Sequence, residues 1–424
     1  MLQVNFIRQN PELVKERLAV RNFAKVDLVD IILNLDDQLR KLKTATESIQ
    51  ATMNAASKEI GILMGKGEKD SAETKKHEVA SLKTEMAQKT EELDQLEADF
   101  NKHLLMLPNL PHESVPKGKS AEDNELVREG GKMPQLSTDA KPHWELIKDY
   151  NLIDFETGAK LAGSGFPLYK GKGAKLQRSL IQFFLDYNTD AGYTEFIPPL
   201  MVNESTAYGT GQLPDKEGQM YHITADGLYL IPTAEVPVTN VYSNEIIKDA
   251  EIPVKMTAYT PCFRREAGSF GSDVRGLNRV HQFDKVEIIQ LVHPDKSYAV
   301  LEEMVLHVEK LLNLLELPYR ILRLCGGDMG FTSALTYDFE VYSAAQHKWL
   351  EVSSVSNFET FQTNRMKIRY KDDAGKTQLL HSLNGSSLAL PRIVAALLEN
   401  NQSDKGIHLP QILHQYFGAN SIQL

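Results

Sequence analysis

Apolar residues in the first quarter of the chain recur in steps of four and three. Leu28, Ile32, Leu35, Leu39, Leu42, Thr46, Ile49, Met53, Ala56, Ile60 and Leu63 trace one seam, apolar apart from Thr46. This spacing keeps a single stripe of a helix turned toward a partner. A second run, Val79, Leu82, Met86, Leu93, Leu96, Phe100 and Leu107, repeats it, with Lys89 and His103 on seam positions. Between the two runs, GKGEKDS places Gly65 and Gly67 where the backbone must reverse. Two matched seams joined by a short turn predict an antiparallel helical hairpin over about residues 27–107. Its first helix alone would be roughly 50 Å long at 1.5 Å per residue.

The pattern then changes. LPNLPHESVPKGKSAEDNE carries three prolines and a polar run, so residues 1–110 read as an N-terminal domain and 111–140 as a linker. Beyond it LQRSLIQFFLDYNTDAG has helical spacing, while YTEFIPPLMV, FDKVEIIQLV, YDFEVYSA and WLEVSSVS alternate or cluster as strands do. Helices mixed with strands, without a regular βαβ rhythm, predict an α+β domain over residues 141–424, an antiparallel sheet flanked by helices.

Composition adds boundaries. With 424 residues, 42% hydrophobic and 25% charged, the chain is long enough for two or three ordinary globular domains. No apolar run reaches about 18 residues, so no membrane span is expected. The N-terminus has neither a signal peptide's apolar stretch nor a transit peptide's lack of acids, which makes the cytoplasm the expected location. Cys262 and Cys325 are too few for a disulfide framework or a cysteine-based zinc site, and no zinc is expected. A net charge of −10 argues against indiscriminate nucleic-acid binding. Residues 38–90 nevertheless hold ten Lys/Arg against seven acids, a local balance of +3. That excess permits phosphate contacts along the hairpin; a spacer or dimerisation rod is the other reading of the same residues.

Common nucleotide and nucleophile motifs are missing. AGKT at 374–377 ends like a P-loop, but position 370 is Tyr where Gly is required; GKGAK at 171–175 starts like a dinucleotide fingerprint, but position 176 is Leu. Both read as turns. Neither GxSxG nor HExxH occurs, so catalysis by a protein nucleophile is not indicated.

The remaining chemistry concentrates in FRREAGSFGSDVRGLNRVHQFDKVE. Arginine's planar fork bonds phosphate or carboxylate in pairs, so several arginines around a tight turn suit a polyphosphate. Gly268, Ser269, Gly271, Ser272 and Gly276 favour the turn. In the strand that follows, Val280, Gln282, Asp284, Val286 and Ile288 would share one face, and Arg279, His281, Phe283, Lys285 and Glu287 the other. An aromatic beside an arginine and a glutamate makes a nucleotide floor; a solvated hairpin with surface charges is the plainer alternative.

This segment resembles motif 2 of the class II aminoacyl-tRNA synthetases. GYTEFIPPLMV at 192–202 resembles motif 1, and NGSSLALPRIVAALLEN at 384–400 resembles motif 3. GTGQLP (209–214), TAEVP (233–237), DMGF (328–331) and EVSSVSN (351–357) are similar to the pattern of the seryl-tRNA synthetase family, as is the N-terminal hairpin to its tRNA-binding arm. The likeness covers essentially the whole chain. Two positions depart from the family's common pattern: Gly165 where Arg is frequent and Leu335 where Lys is frequent.

The resemblance implies an ATP-dependent serine–tRNA ligase of bacterial type that forms seryl-adenylate and then charges tRNA(Ser), with tRNA(Sec) as a further acceptor the family allows. It implies a homodimer, with Pro199 of motif 1 near the interface. Arg264, Arg392 and Glu351 would be the catalytic residues. Arg264 would bridge the serine carboxylate and the α-phosphate, while Arg392 would hold the γ-phosphate. Glu266 and Val280 would border an adenine stacked between Phe283 and Arg392, with Arg265, Val352 and Ser353 completing the ATP site. Glu351 and Ser354 would hold Mg²⁺. Thr233, Ala234, Glu235, Glu287 and Ser386 would read serine together with Arg264. A non-catalytic, RNA-binding relative would keep the arm but would have lost phosphate or metal positions; Arg264, Glu351 and Arg392 are all present.

Overall fold

The computed structural model describes residues 1–266 and 275–424. The chain divides into two compact units, one of Leu2–Ala19 with Phe23–Pro108, the other of Met1, Val20–Asn22 and Asn109–Leu424.

In the first unit, α1 (Leu28–Lys66) and α2 (Lys69–Leu104) form the helical hairpin. At 39 residues, α1 is about 58 Å long. Every seam position on both helices is buried or half-buried, Lys89 and His103 included. Cross-helix ion pairs set the antiparallel register: Lys43 meets Glu97 at 2.6 Å and Lys75 meets Glu59 at 3.2 Å. The reversal is tighter than the glycine pair implies. Gly65 is still helical, and the chain turns at Gly67, whose φ of +80° forms a left-handed cap.

Among the described residues of the second unit, eight strands form the main sheet: β1 (Glu125–Gly130), β2 (Thr194–Glu195), β3 (Val254–Phe263), β4 (Gln282–Val292), β5 (Tyr319–Arg323), β6 (Leu335–Ser343), β7 (Lys348–Asn357) and β8 (His381–Ala389). Their spatial order is β1-β5-β6-β7-β8-β4-β3-β2, antiparallel except where β2 runs alongside β3. The stretch expected as a linker thus contains an edge strand. β1 is short and charged, as edges facing water tend to be, and its polar composition is what made it read as a connection.

Four helices matter for the site: α3 (His143–Asp149), α4 (Gly171–Asp190), α5 (Ser297–Leu314) and α6 (Leu390–Asn400). GKGAK, expected as a turn, is the first turn of α4, because Gly173 lets that helix approach the Leu152 carbonyl. A Cβ there would lie 2.1 Å from the oxygen. AGKT does lie at a turn, with Gly375 at φ +76°, between Arg369–Lys371 and Thr377–Leu379.

Strand β4 divides its side chains by parity. Val286, Ile288 and Val292 enter the main core with Leu180 and Phe184 of α4, Val305 and Val308 of α5, and Ile393 and Leu397 of α6. On the opposite face, Ile289 and Leu291 join a smaller core with Ala234, Val238 and Met256. Each fully buried aliphatic side chain contributes about 2 kcal/mol by leaving water. Phe283, Lys285 and Glu287 share that second face but precede the apolar pair, and around them the site is built. Leu335, which departs from the family pattern, is 3% exposed in the main core; an ammonium there would lose its hydration.

Candidate active site

β3 and β4 hold the central arginine. β3 ends at Phe263, but the ladder continues one residue further through Arg264 N–H donating to the His281 carbonyl at 2.9 Å. That register puts the Arg264 guanidinium 5.3 Å from the centroid of the Phe283 ring, with Nε donating to the Pro232 carbonyl at 3.3 Å. Gly165, the other departure from the pattern, stands behind this ladder. Its carbonyl accepts the His281 N–H at 2.8 Å, and at φ +84° a Cβ would lie 2.1 Å from the His281 ring. The packing explains glycine at that position.

β7 supplies a second wall. A bulge against β6 between Ser353 and Glu351 leaves Val352 as the extra residue. Such an insertion breaks strict alternation, so Glu351, Val352, Ser353 and Ser354 all reach one cleft of about 450 Å³. Ser353 Oγ donates to the Ser386 carbonyl of β8 at 2.6 Å, joining this wall to the next. At the start of α6, Arg392 Nε donates to the Asn278 carbonyl at 3.0 Å and Nη1 to the Glu351 carbonyl at 2.6 Å. Arg279 Nη1 donates to Glu266 Oε2 at 3.0 Å.

Where Thr233, Lys285 and Ser386 line the cleft, a cluster of buried polar side chains continues behind them. Glu287 is fully buried; its Oε1 accepts from Thr233 Oγ1 at 2.8 Å and is ion-paired with Lys285, while Oε2 has no partner. Ser386 sits opposite Glu287 in the β4–β8 register. Glu235 Oε1 accepts from Gln362 Nε2 at 2.6 Å. Burial, reinforced by the charge of Glu287, pushes the Glu235 carboxyl up to about 7. Two carboxylates, one lysine and a threonine are thus gathered at buried positions, with one carboxylate oxygen left without a partner.

The structure gathers most of the expected residues. Thr233, Arg264, Glu266, Val280, Phe283 and Ser386 line the cleft, as do Glu351, Val352, Ser353, Ser354 and Arg392. Glu235 and Glu287 are buried behind that lining, Glu287 bonded to Thr233. Two residues fall elsewhere: Ala234 is fully buried in the smaller core, and Arg265 is exposed, its backbone N–H bonded to the Gln219 carbonyl at 2.9 Å. Arg279 and Val280 both line the cleft rather than opposite faces, because β4 begins only at Gln282. The guanidinium over Phe283 is that of Arg264, while Arg392 is engaged with Asn278 and Glu351. Of the turn residues, Gly268, Ser269, Gly271 and Ser272 lie outside the described residues.

Some contributors carried no functional expectation. Lys285 shares the expected face by strand period, which assigns it no role of its own. Gln362 and Asp338 had no local signal. Asp338 of β6 faces Ser354 across the β6–β7 ladder, and its Oδ1 has no partner. Burial first, then the nearby charge of Glu351, raises its carboxyl well above the usual range, with a hydrogen bond from Ser354 opposing.

An antiparallel sheet that carries an arginine-lined cleft between β4, β7 and the start of α6 is the arrangement of a class II aminoacyl-tRNA synthetase core. Residues 221–401 match the family model of the tRNA synthetase class II core domain (G, H, P, S and T), and residues 1–111 match that of the seryl-tRNA synthetase N-terminal domain. A serine–tRNA ligase of Salinibacter ruber is 51% identical, covering 99% of this chain and 98% of that protein. One from Methylacidiphilum infernorum is 48% identical, covering 98% and 99%. The crystal structure of seryl-tRNA synthetase from Pyrococcus horikoshii complexed with ATP superposes with a TM-score of 0.91 at 34% identity, covering 100% of this chain and 99% of that one. The chain belongs to the seryl-tRNA synthetase family, and its activity is serine–tRNA ligation. Among the described residues no helix is long and apolar enough to cross a membrane.

Proposed function

We propose that the cleft binds ATP, that the pocket behind it binds L-serine, and that Arg264 holds the two anions together at their boundary. The observation that carries this reading is the buried Glu287 carboxylate, its Oε2 unpartnered, beside Thr233 and behind Arg264. An α-ammonium supplies donors for that oxygen, and a serine hydroxyl suits the neighbouring Thr233, Glu235 and Ser386.

Activation then needs no protein base, since the serine carboxylate is already ionised at neutral pH. A carboxylate oxygen attacks the α-phosphorus, the bond to the bridging oxygen breaks, and pyrophosphate leaves with that electron pair. Arg264 would neutralise both anions as they meet, and Arg392, with Arg279 also lining the cleft, would draw on the β- and γ-phosphates. In the second step the terminal ribose hydroxyl of tRNA attacks the carbonyl of the mixed anhydride and AMP departs. Alanine or glycine would leave the hydroxyl-reading groups of the pocket unpaired, the stronger kind of discrimination.

The donor set fits Mg²⁺. Glu351 and Ser354 offer hard oxygens at the cleft, and the orphaned Oδ1 of Asp338 lies just behind. Mg²⁺ bound there would take its other ligands from phosphates and water. When bound, Mg²⁺ would supply charge neutralisation on the phosphate oxygens.

The acceptor is tRNA(Ser), with the helical hairpin as its docking arm, and tRNA(Sec) is a second acceptor. The assembly is a homodimer joined through the segment around Pro199. Ile197 is 91% exposed there, and Pro199, Leu200 and Met201 are exposed beside it, an apolar run unusual for a free surface. ATP–pyrophosphate exchange with each amino acid in turn tests the central reading: exchange should depend on serine. Exchange supported equally by alanine would sink the assignment of the pocket.

A further inference from the structure

The segment leading into β4 is seated on α3 through contacts that lie outside the cleft. His143, the first residue of α3, is fully buried, and its Nε2 accepts the Leu277 N–H at 2.9 Å. Because a backbone N–H can only donate, Nε2 is unprotonated and the ring proton sits on Nδ1. Nδ1 donates to Glu399 Oε1 at 2.7 Å, and the same oxygen accepts the His143 backbone N–H at 2.9 Å and Gln346 Nε2 at 2.8 Å. Gln346 Oε1 accepts in turn from Asn278 Nδ2 at 3.1 Å. The preceding residues are fixed as well. Arg275 lies 4.5 Å over the Trp144 ring, and Gly276, at φ +64°, lies so close that a Cβ would be 2.3 Å from His143 Nε2.

This network has two ends in the cleft. Leu277, Asn278 and Arg279 line it, and the Asn278 carbonyl receives Arg392 Nε. Arg392 and Glu399 both belong to α6, seven residues or about two turns apart, hence on one helix face. The helix grips residues 277–278 with Arg392 near its N-terminus and, through His143 and Gln346, with Glu399 near its C-terminus.

We propose that His143, oriented by Glu399, is a positioning residue for ATP: by fixing Leu277 and Asn278 it sets where Arg392 and Arg279 meet the phosphates. His143 touches no substrate, and the inference rests on the proposed reading of Arg392 as a phosphate-binding residue. A buried N–H that loses its acceptor favours local rearrangement, and misplacing a binding arginine by a fraction of its reach weakens the charged contact it makes.

Pyrophosphate exchange on the full-length protein separates this role from a merely structural one. His143→Asn keeps an amide N–H for Glu399 but leaves Leu277 without an acceptor, whereas His143→Gln extends an Oε1 toward Leu277. The Asn variant should unfold near the wild-type temperature and raise KM for ATP roughly tenfold, with KM for serine within about twofold of wild type. The Gln variant should recover most of that loss. A wild-type KM for ATP in a folded Asn variant, equal rises for ATP and serine, or no recovery in the Gln variant would each overturn the proposal. If His143→Asn does not fold, Gln346→Ala, at a half-buried position, must show the same ATP-selective rise, and its absence overturns the proposal equally. Arg392→Ala measured alongside keeps the two readings apart. A wild-type KM for ATP there sinks the phosphate assignment, whereas a rise there with none at His143 sinks only this inference.

Discussion

Thr233 Oγ1 donates to Glu287 Oε1 at 2.8 Å. The bond ties Thr233, two residues before the short helix Glu235–Asn240, to a carboxylate in the middle of β4, and it leaves Glu287 Oε2 without a partner. Glu287→Gln keeps the shape but removes the charge that pairs with Lys285 and that we propose faces the serine ammonium. Breaking one side of a buried charged pair costs about 3–5 kcal/mol. Serine kcat/KM in pyrophosphate exchange should therefore fall by at least about 100-fold, with KM for ATP much less affected. A loss shared equally by ATP and serine would assign Glu287 to the frame of the site rather than to serine.

Arg264 is the cation nearest the expected junction of the two anions. Truncation to Ala removes a preorganised charge from the place where charge moves, a loss on the order of 100- to 1,000-fold in kcat. Pyrophosphate exchange measures it at saturating ATP and serine. Near-normal kcat in that variant would show that the anions are joined by other groups.

Glu235 gives a pH-dependent stability with a definite sign. Burial, aided by the charge of Glu287, raises its carboxyl from the ordinary 4.5 to about 7. Below pH 4.5 the group is protonated whether the chain is folded or not. As pH rises from there to about 7 the unfolded chain loses the proton first, so stability declines, by about 3 kcal/mol in all, and stays lower above 7. Glu235→Gln cannot ionise. Its unfolding temperature should exceed the wild-type value at pH 8 and converge with it near pH 4.5; a constant difference across that range would mean that Glu235 ionises as an ordinary carboxyl does.

The arm offers a clean dissection because its register is known. Lys43 opposes Glu97, and Lys75 opposes Glu59, so replacing residues 47–90 by a short glycine-rich turn leaves matched helix ends. Serine-dependent pyrophosphate exchange should persist within about threefold, while tRNA charging should fall by more than about tenfold, the share expected when several phosphate contacts are removed. Full charging by the shortened protein would make the hairpin a spacer.

The fold was legible wherever a local period carried it. The heptads of α1 and α2 name their own buried residues, and the alternation of β4 separates Val286 and Ile288 from Phe283, Lys285 and Glu287. What was hidden depends on distant partners. β1 is a charged six-residue segment that becomes a strand only by pairing with β5, almost two hundred residues on. The bulge at Val352 is defined by β6 and has no signature of its own. Gln362 meets Glu235 across 127 positions of chain, and Asp338 acquires its unusual carboxyl only through burial behind Glu351. Motif likeness placed Arg264, Arg392 and Glu351 in the cleft, but it could not tell that Arg265, next to Arg264, turns to solvent, or that Ala234 sits in a core.

The parity of β4 also limits how this protein can change over generations. Over residues 283–288 the aliphatic even-numbered pair, Val286 and Ile288, belongs to the main core and the odd-numbered Phe283, Lys285 and Glu287 belong to the site, so either set can drift by substitution while the other is kept. A single inserted or deleted codon within Gln282–Glu287 allows no such separation. It would deliver an aliphatic side chain to the serine pocket and a carboxylate to the main core in one event. Lineages can therefore explore this strand by exchanging letters, while its length stays fixed.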